Sequence, residues 1–131
     1  MKLEVGMYVR GKYYQYRGKI GKIIKNYNND LEIAYKDGVL KTNVGSFIDD
    51  NYDINGKQYK ASYNIIDLIE VGDIIRYRID KVSLETKGYL TGVIDITDEE
   101  MIENIKEDKN YHVLQILTKE EFEKRAYKVG E

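Results

Sequence analysis

The stretch Leu3-Glu4-Val5-Gly6-Met7-Tyr8-Val9-Arg10 returns as Ile69-Glu70-Val71-Gly72-Asp73-Ile74-Ile75-Arg76, and this internal repeat constrains the fold more than any other feature of the chain. Each copy runs on into a second apolar-alternating segment, Lys19-Ile20-Gly21-Lys22-Ile23-Ile24 in the first and Arg78-Ile79-Asp80-Lys81-Val82-Ser83 in the second. Two copies of one β unit are therefore predicted, over residues 1–61 and 62–131. Neither half alone buries enough apolar surface to be comfortably stable, so the two are expected to pack as one compact body.

The chain has 131 residues, 42% of them hydrophobic and 13 of them Tyr, a composition too apolar for a disordered polypeptide. It contains no Cys. That excludes disulfide frameworks, thiolate nucleophiles and Cys-ligated zinc or iron–sulfur sites, and it fits a reducing compartment. No apolar run approaches the roughly 18 residues that span a bilayer, and the N-terminus lacks a signal-peptide pattern. The expectation is a soluble, cytoplasmic protein with no membrane partner.

Pro is absent, so Gly, Asn and Asp must make the chain reversals. Asp37-Gly38 between Leu31-Glu32-Ile33-Ala34-Tyr35 and Val39-Leu40-Lys41-Thr42 has the composition of a type I′ hairpin. Asn26 to Asp30 forms a polar tip, and Asn55-Gly56 can close another hairpin between Tyr52 and Tyr59, so the first seventy residues read as a meander. Ser62 can cap a short helical or 3-10 turn that turns Ile65, Ile66 and Leu68 inward. Strands resume over Ile74 to Ile79, Tyr89 to Ile94 and Tyr111 to Leu117. Thr97-Asp98-Glu99-Glu100 and Thr118-Lys119-Glu120-Glu121 are capping-box sequences that open short helices over about 98–107 and 119–126. The predicted fold class is mainly β with short α: two repeated small SH3-like β-barrel units and two short C-terminal helices.

The formal net charge of −2 hides an uneven distribution. Residues 1–25 carry seven basic side chains against Glu4 alone, so the rest of the chain is strongly acidic. Tyr8, Arg10, Lys12, Tyr13, Tyr14, Tyr16, Arg17, Lys19 and Lys22 interleave cations with aromatic rings, a pattern that suits phosphate contacts and base stacking. The alternative is a solvated strand face on which Lys stems cover Tyr rings. Glu99, Glu100, Glu103, Glu107 and Asp108 form a candidate acidic face for a basic partner. The first-turn carboxylates of that run also complement a helix N-terminus, which explains them without any partner.

Asp49-Asp50-Asn51-Tyr52-Asp53-Ile54-Asn55-Gly56 imitates the start of a calcium loop, but the register puts Asn51 where the first Asp belongs and Ser62 where the bidentate Glu belongs. A hydrated loop is the better reading. His112 is the only histidine, and a strand histidine with a structural hydrogen bond is expected of it. No phosphate loop, nucleophile elbow or His-Glu-x-x-His pattern is present. The chain is expected not to be an enzyme, with no metal and no cofactor.

The segment Val5-Gly6…Val9-Arg10…Gly18-Lys19-Ile20-Gly21-Lys22-Ile23-Ile24 resembles the KOW-type and related SH3-like modules of ribosomal and transcription proteins, over about twenty residues. Three longer blocks look like small proteins of phages and prophages from AT-rich bacteria. They are Lys2 to Arg10, Ala61 to Asp73, and Leu117 to Glu123 with Tyr127-Lys128-Val129. Here Gly72-Asp73 continues as strand, whereas the similar proteins usually turn at Asn-Gly. The resemblance implies a phage setting and action by binding, with an inhibitor of host defence of the anti-CRISPR type as the leading expectation and a host defence protein or nuclease–guide RNA complex as partner. A nucleic-acid-binding module built on the basic Tyr-rich segment is the alternative. A sponge for a cyclic nucleotide immune signal, with Arg10 or Arg76 on the phosphate, is a further one, and an oligomer or a virion role is compatible with either.

Overall fold

The computed structural model describes residues 3–11, 17–51, 60–80, 88–127 and 129–130. It is mainly β and divides into two units, Met1–Leu68 and Ile69–Glu131.

In the first unit, β1 (Tyr8–Arg10), β2 (Ile20–Tyr27), β3 (Asp30–Tyr35), β4 (Gly38–Asn43) and β5 (Lys60–Ser62) form one sheet in the order β4-β3-β2-β1-β5. All four neighbouring pairs in it are antiparallel. The period-2 pattern sends Val9, Ile23, Leu31 and Ile33 to a single face, where they are buried with Leu3, Met7 and Phe47. Helix α1 (Val44–Asn51) supplies Phe47 to this core, and a 3-10 helix at Ile65–Leu68 follows β5. The division between units falls after Leu68, beyond the 61/62 boundary read from sequence, because β5 pairs with β1 and the 3-10 helix continues directly from it.

The meander is present, but its turns and one element differ from expectation. The two-residue loop with positive φ at both central positions is Asn28 (+49°) and Asn29 (+68°), which is the requirement of a type I′ hairpin. The Asp37-Gly38 hairpin also forms, yet Tyr35 pairs with Gly38, so the central pair is Lys36-Asp37 and Gly38 takes the last turn position. Helix α1 was not anticipated. Asn43 opens it by accepting a hydrogen bond from Ser46 N (2.8 Å) through Oδ1. The Asn55-Gly56 hairpin lies outside the described residues.

The second unit holds β6 (Ile74–Asp80), β7 (Tyr89–Asp95) and β8 (Tyr111–Leu117) in a sheet of order β7-β6-β8, again antiparallel throughout. Helix α2 (Glu99–Glu107) joins β7 to β8, and α3 (Lys119–Arg125) follows β8. Ile69, Ile75, Ile96, Ile102 and Ile105 are its buried aliphatics. Helix α2 is capped by Asp98, whose Oδ1 accepts from Met101 N (2.9 Å), one residue later than the expected Thr97. Thr97 instead donates to the Met101 sulfur. Thr118 caps α3 as expected, accepting from Glu121 N at 3.3 Å.

The sequence repeat is matched by a repeated turn. Met7 N donates to Glu4 O and Asp73 N to Glu70 O, each at 3.1 Å, around Gly6 (φ +95°) and Gly72 (φ +101°). Glycine at positive φ in the third position is the pattern of a type II turn. Each turn docks identically on a later strand segment: Gly6 N donates to Ile23 O and Gly72 N to Ile96 O, both at 2.8 Å. Ile23 N and Ile96 N return bonds to Met7 O (2.8 Å) and Asp73 O (2.9 Å). Even the fourth side chain acts alike, since the Met7 sulfur accepts from Glu4 N and Asp73 Oδ2 from Glu70 N. Beyond this turn the sheets differ, and each has two edge strands among the described residues, so neither is closed into a barrel.

Candidate functional site

Of the basic and aromatic residues read from the sequence, Tyr8 and Lys22 come together. They are partners across β1 and β2, and Lys22 Nζ stands 5.5 Å from the Tyr8 ring centroid, within cation–π range. Lys19 is drawn to Asp37 at 3.0 Å. Arg17 is exposed and its backbone bridges to Gly11. Lys12, Tyr13, Tyr14 and Tyr16 lie outside the described residues. Arg10 corrects the reading most: it is 0% exposed, and its Nη1 donates to Leu68 O at 2.9 Å. Its guanidinium ties β1 to the end of the 3-10 helix and is removed from the surface, so it cannot serve as a phosphate contact there.

The acidic residues fare differently. Glu99, Glu100, Glu103, Glu107 and Asp108 are all exposed. Glu99, Glu103 and Glu107 follow i, i+4, i+8 spacing and make one stripe, while Ile102 and Ile105 turn the other way and are buried. Lys106 approaches Glu103 at 3.7 Å, a surface contact of little energetic weight. Asp108 has a local role, its Oδ1 accepting from Asn110 N at 2.9 Å.

His112 has a partner 32 positions away in the chain. Its Nε2 lies 2.8 Å from Asp80 Oδ2, and Arg78 Nε donates to Asp80 Oδ1 at 3.0 Å. A carboxylate only accepts, so Nε2 must carry a proton in this bond. Arg78 and His112 are cross-strand partners, and Asp80 shares the face of Arg78 two residues on. Alternation along β6 was the signal for the Arg78–Asp80 pair, but the pairing with β8 required the register. On the opposite face Tyr77 and Tyr111 stack at 5.0 Å, and burial, then Tyr77 and Asp108, push the Tyr111 phenol up to about 12. In the first unit the Tyr63 hydroxyl donates to Glu4 Oε2 (2.8 Å), and that bond raises its pKa.

The calcium-like segment begins in the last turn of α1 and then leaves the described residues. Among the described residues no group of three or more His, Asp or Glu side chains is arranged to hold a metal, and no helix is long and apolar enough to cross a membrane.

Fold and surfaces thus define the class of a mainly β protein with two antiparallel sheets and short capped helices. Comparison with known protein families, curated proteins and solved structures finds no match.

Proposed function

We propose that the protein works by binding, as a phage-encoded, non-enzymatic inhibitor of a host nuclease–guide RNA complex, with the α2 stripe occupying the basic groove meant for nucleic acid. The observation that carries this reading is the exposed line of Glu99, Glu103 and Glu107 on a helix whose other side is anchored by Ile102 and Ile105. At 1.5 Å rise per residue, successive carboxylates of the stripe stand about 6 Å apart along the helix axis. That is a line of negative charge at roughly half the density of one nucleic acid strand, which carries a phosphate about every 3.4 Å. The Asp98 cap and the buried isoleucines hold the stripe ready, so little ordering cost accompanies binding. The phage setting comes from the resemblance of the three sequence blocks.

The test is co-purification with guide-loaded nucleases of the bacterial host and the cleavage rate in the protein's presence. Inhibition is expected, and E99Q/E103Q/E107Q should relieve it. No co-purification with an unchanged cleavage rate would remove this reading.

A second reading is a nucleic-acid module in the first unit. It is favoured by the Lys22–Tyr8 pair and by the order β4-β3-β2-β1-β5, which suits an SH3-like strand arrangement. It requires salt-dependent binding of bare oligonucleotides that Y8A and K22A weaken.

A further inference from the structure

Strand β7 is an edge of the second sheet, and four features set it apart from the other edges. It is seven residues long, whereas β5 has three. Its register with β6 runs without interruption from Ile74↔Asp95 to Asp80↔Tyr89, whereas β8 skips Leu114 between Gln115 and Val113. A bulge of that kind twists an edge out of pairing geometry. Edge β4 carries Lys41, another common protection, while β7 has no basic residue and its only charge is the terminal Asp95. Finally, its core-facing side chains are not covered. Ile94 pairs with the fully buried Ile75 yet is 37% exposed, and Leu90, on the same face, is 49% exposed.

The direction of the free backbone groups follows from the ladder. Ile96 N donates to Asp73 O and Ile96 O accepts from Gly72 N, so Ile96 points its main chain toward β6. Alternation along an antiparallel strand then turns Ile94, Gly92 and Leu90 inward in the same sense. The N–H and C=O groups of Tyr89, Thr91, Val93 and Asp95 point outward, and no described residue pairs with them.

We propose that β7 pairs antiparallel with β7 of a second copy, about a two-fold axis at Gly92, giving a continuous six-stranded sheet. The sequence Tyr89-Leu90-Thr91-Gly92-Val93-Ile94-Asp95 is self-complementary in that register. Leu90 falls opposite Ile94 of the second copy, Thr91 opposite Val93 and Tyr89 opposite Asp95. The outward-pointing residues become the hydrogen-bonded pairs. Leu90/Ile94 and Gly92/Gly92 become the non-bonded pairs, where side chains approach more closely and apolar contact is worth most. Gly92 fits the axis for a further reason: Tyr77 Oη already lies 2.6 Å from where a Cβ would stand, so the Tyr77 ring covers this position and carries the apolar face across the join. A single strand pair buries less than about 1,200 Å², the transient class of interface, so association should depend on concentration.

The test is sedimentation equilibrium of the full chain over a concentration series, with amide hydrogen exchange at both ends of the series. The mass should rise from 15.4 kDa toward twice that value. The Thr91 and Val93 amides should exchange at least tenfold more slowly when concentrated, while Gly92 and Ile94 do not change. V93K places a charge at an exposed edge position and should weaken association at least tenfold. T91P removes an outward N–H and no β6 bond, and should do the same if V93K fails to fold. A mass that stays at the monomer overturns the proposal and leaves the edge to a foreign strand. So does a dimer that V93K and T91P leave intact or whose Thr91 and Val93 amides are unprotected.

Discussion

Asp73 is the side chain whose loss should be felt most in the second unit. It is 0% exposed, with Oδ2 accepting from Glu70 N at 2.8 Å and Oδ1 from Lys119 N at 3.0 Å. The carboxylate thereby closes the repeated turn and ties it to the first residue of α3. Hydrogen bonds to a charged group contribute about 1.5–3 kcal/mol each, and the negative charge at a helix N-terminus adds about 0.3–1 kcal/mol. Against this, D73A releases a carboxylate from a buried position, which refunds part of the desolvation cost. The net expectation is a loss of about 2–4 kcal/mol. With a urea slope near 2 kcal/mol/M, the midpoint of the second unit should fall by about 1–2 M. Unfolding should be followed by hydrogen exchange resolved by residue, so that the two units are read separately. The Glu70 and Lys119 amides should lose protection first. D73M, which copies the Met7 sulfur acceptor of the first turn, should recover the bond to Glu70 N but not the bond to Lys119. A D73A midpoint within about 0.3 M of the wild type would refute the reasoning, because two part-buried backbone donors would then have lost a charged acceptor at almost no cost.

Other expectations follow from single contacts. G92A should cost about 1–3 kcal/mol by overpacking, because its Cβ would stand 2.6 Å from Tyr77 Oη. In a Y77A background that cost should fall below about 1 kcal/mol, as a double-mutant cycle by urea unfolding would show. T118A should remove the α3 cap and lower stability by about 0.5–2 kcal/mol in the same assay. Tyr111 should titrate at about 12 when followed by NMR chemical shift. Since its folded pKa is raised above the unfolded value near 10, the stability it contributes is complete below about pH 10 and is lost as pH rises toward about 12. Y111F should flatten the pH dependence of stability in that window. For Tyr63 the E4Q variant should bring the phenol back toward its ordinary range, because the bond to Glu4 is the leading cause of its shift.

Much of this fold could be read along the chain, and the misses share a cause. The repeat was legible as two copies of one segment, but the type II turn inside each copy shows only in the structure, where Gly6 and Gly72 take positive φ. Local signals also found α3, the hairpin at Tyr35–Gly38 and the 3-10 helix, although Asn64 rather than Ser62 opens that helix, its Oδ1 accepting from Ile66 N at 3.1 Å. Helix α1 escaped because Val44 and Gly45 are poor helix formers at its start; burial of Phe47 and the Asn43 cap outweigh that propensity. The type I′ turn was assigned to Asp-Gly when Asn28-Asn29 adopt it, because Asn tolerates positive φ and the β2–β3 register demanded both residues. Arg10 sits in a row of apparently solvated cations, and only the pairing of β1 with β5 reveals that the 3-10 helix carbonyl claims it. His112 and Asp80 likewise meet through strand pairing, which sequence spacing does not encode. The acidic run was legible as a five-residue face, but its sorting into a stripe of Glu99, Glu103 and Glu107, with Glu100 off that line and Asp108 at the C-cap, follows from the helix that Asp98 caps.

The mobility of short single-stranded and duplex RNA and DNA with the purified protein, at low and moderate salt, tests most directly whether the acidic α2 stripe is the working surface. A protein that occupies a basic groove in place of nucleic acid should leave bare oligonucleotides unshifted at both salts. A salt-sensitive shift that Y8A or K22A abolishes would contradict the account and move the function to the first unit.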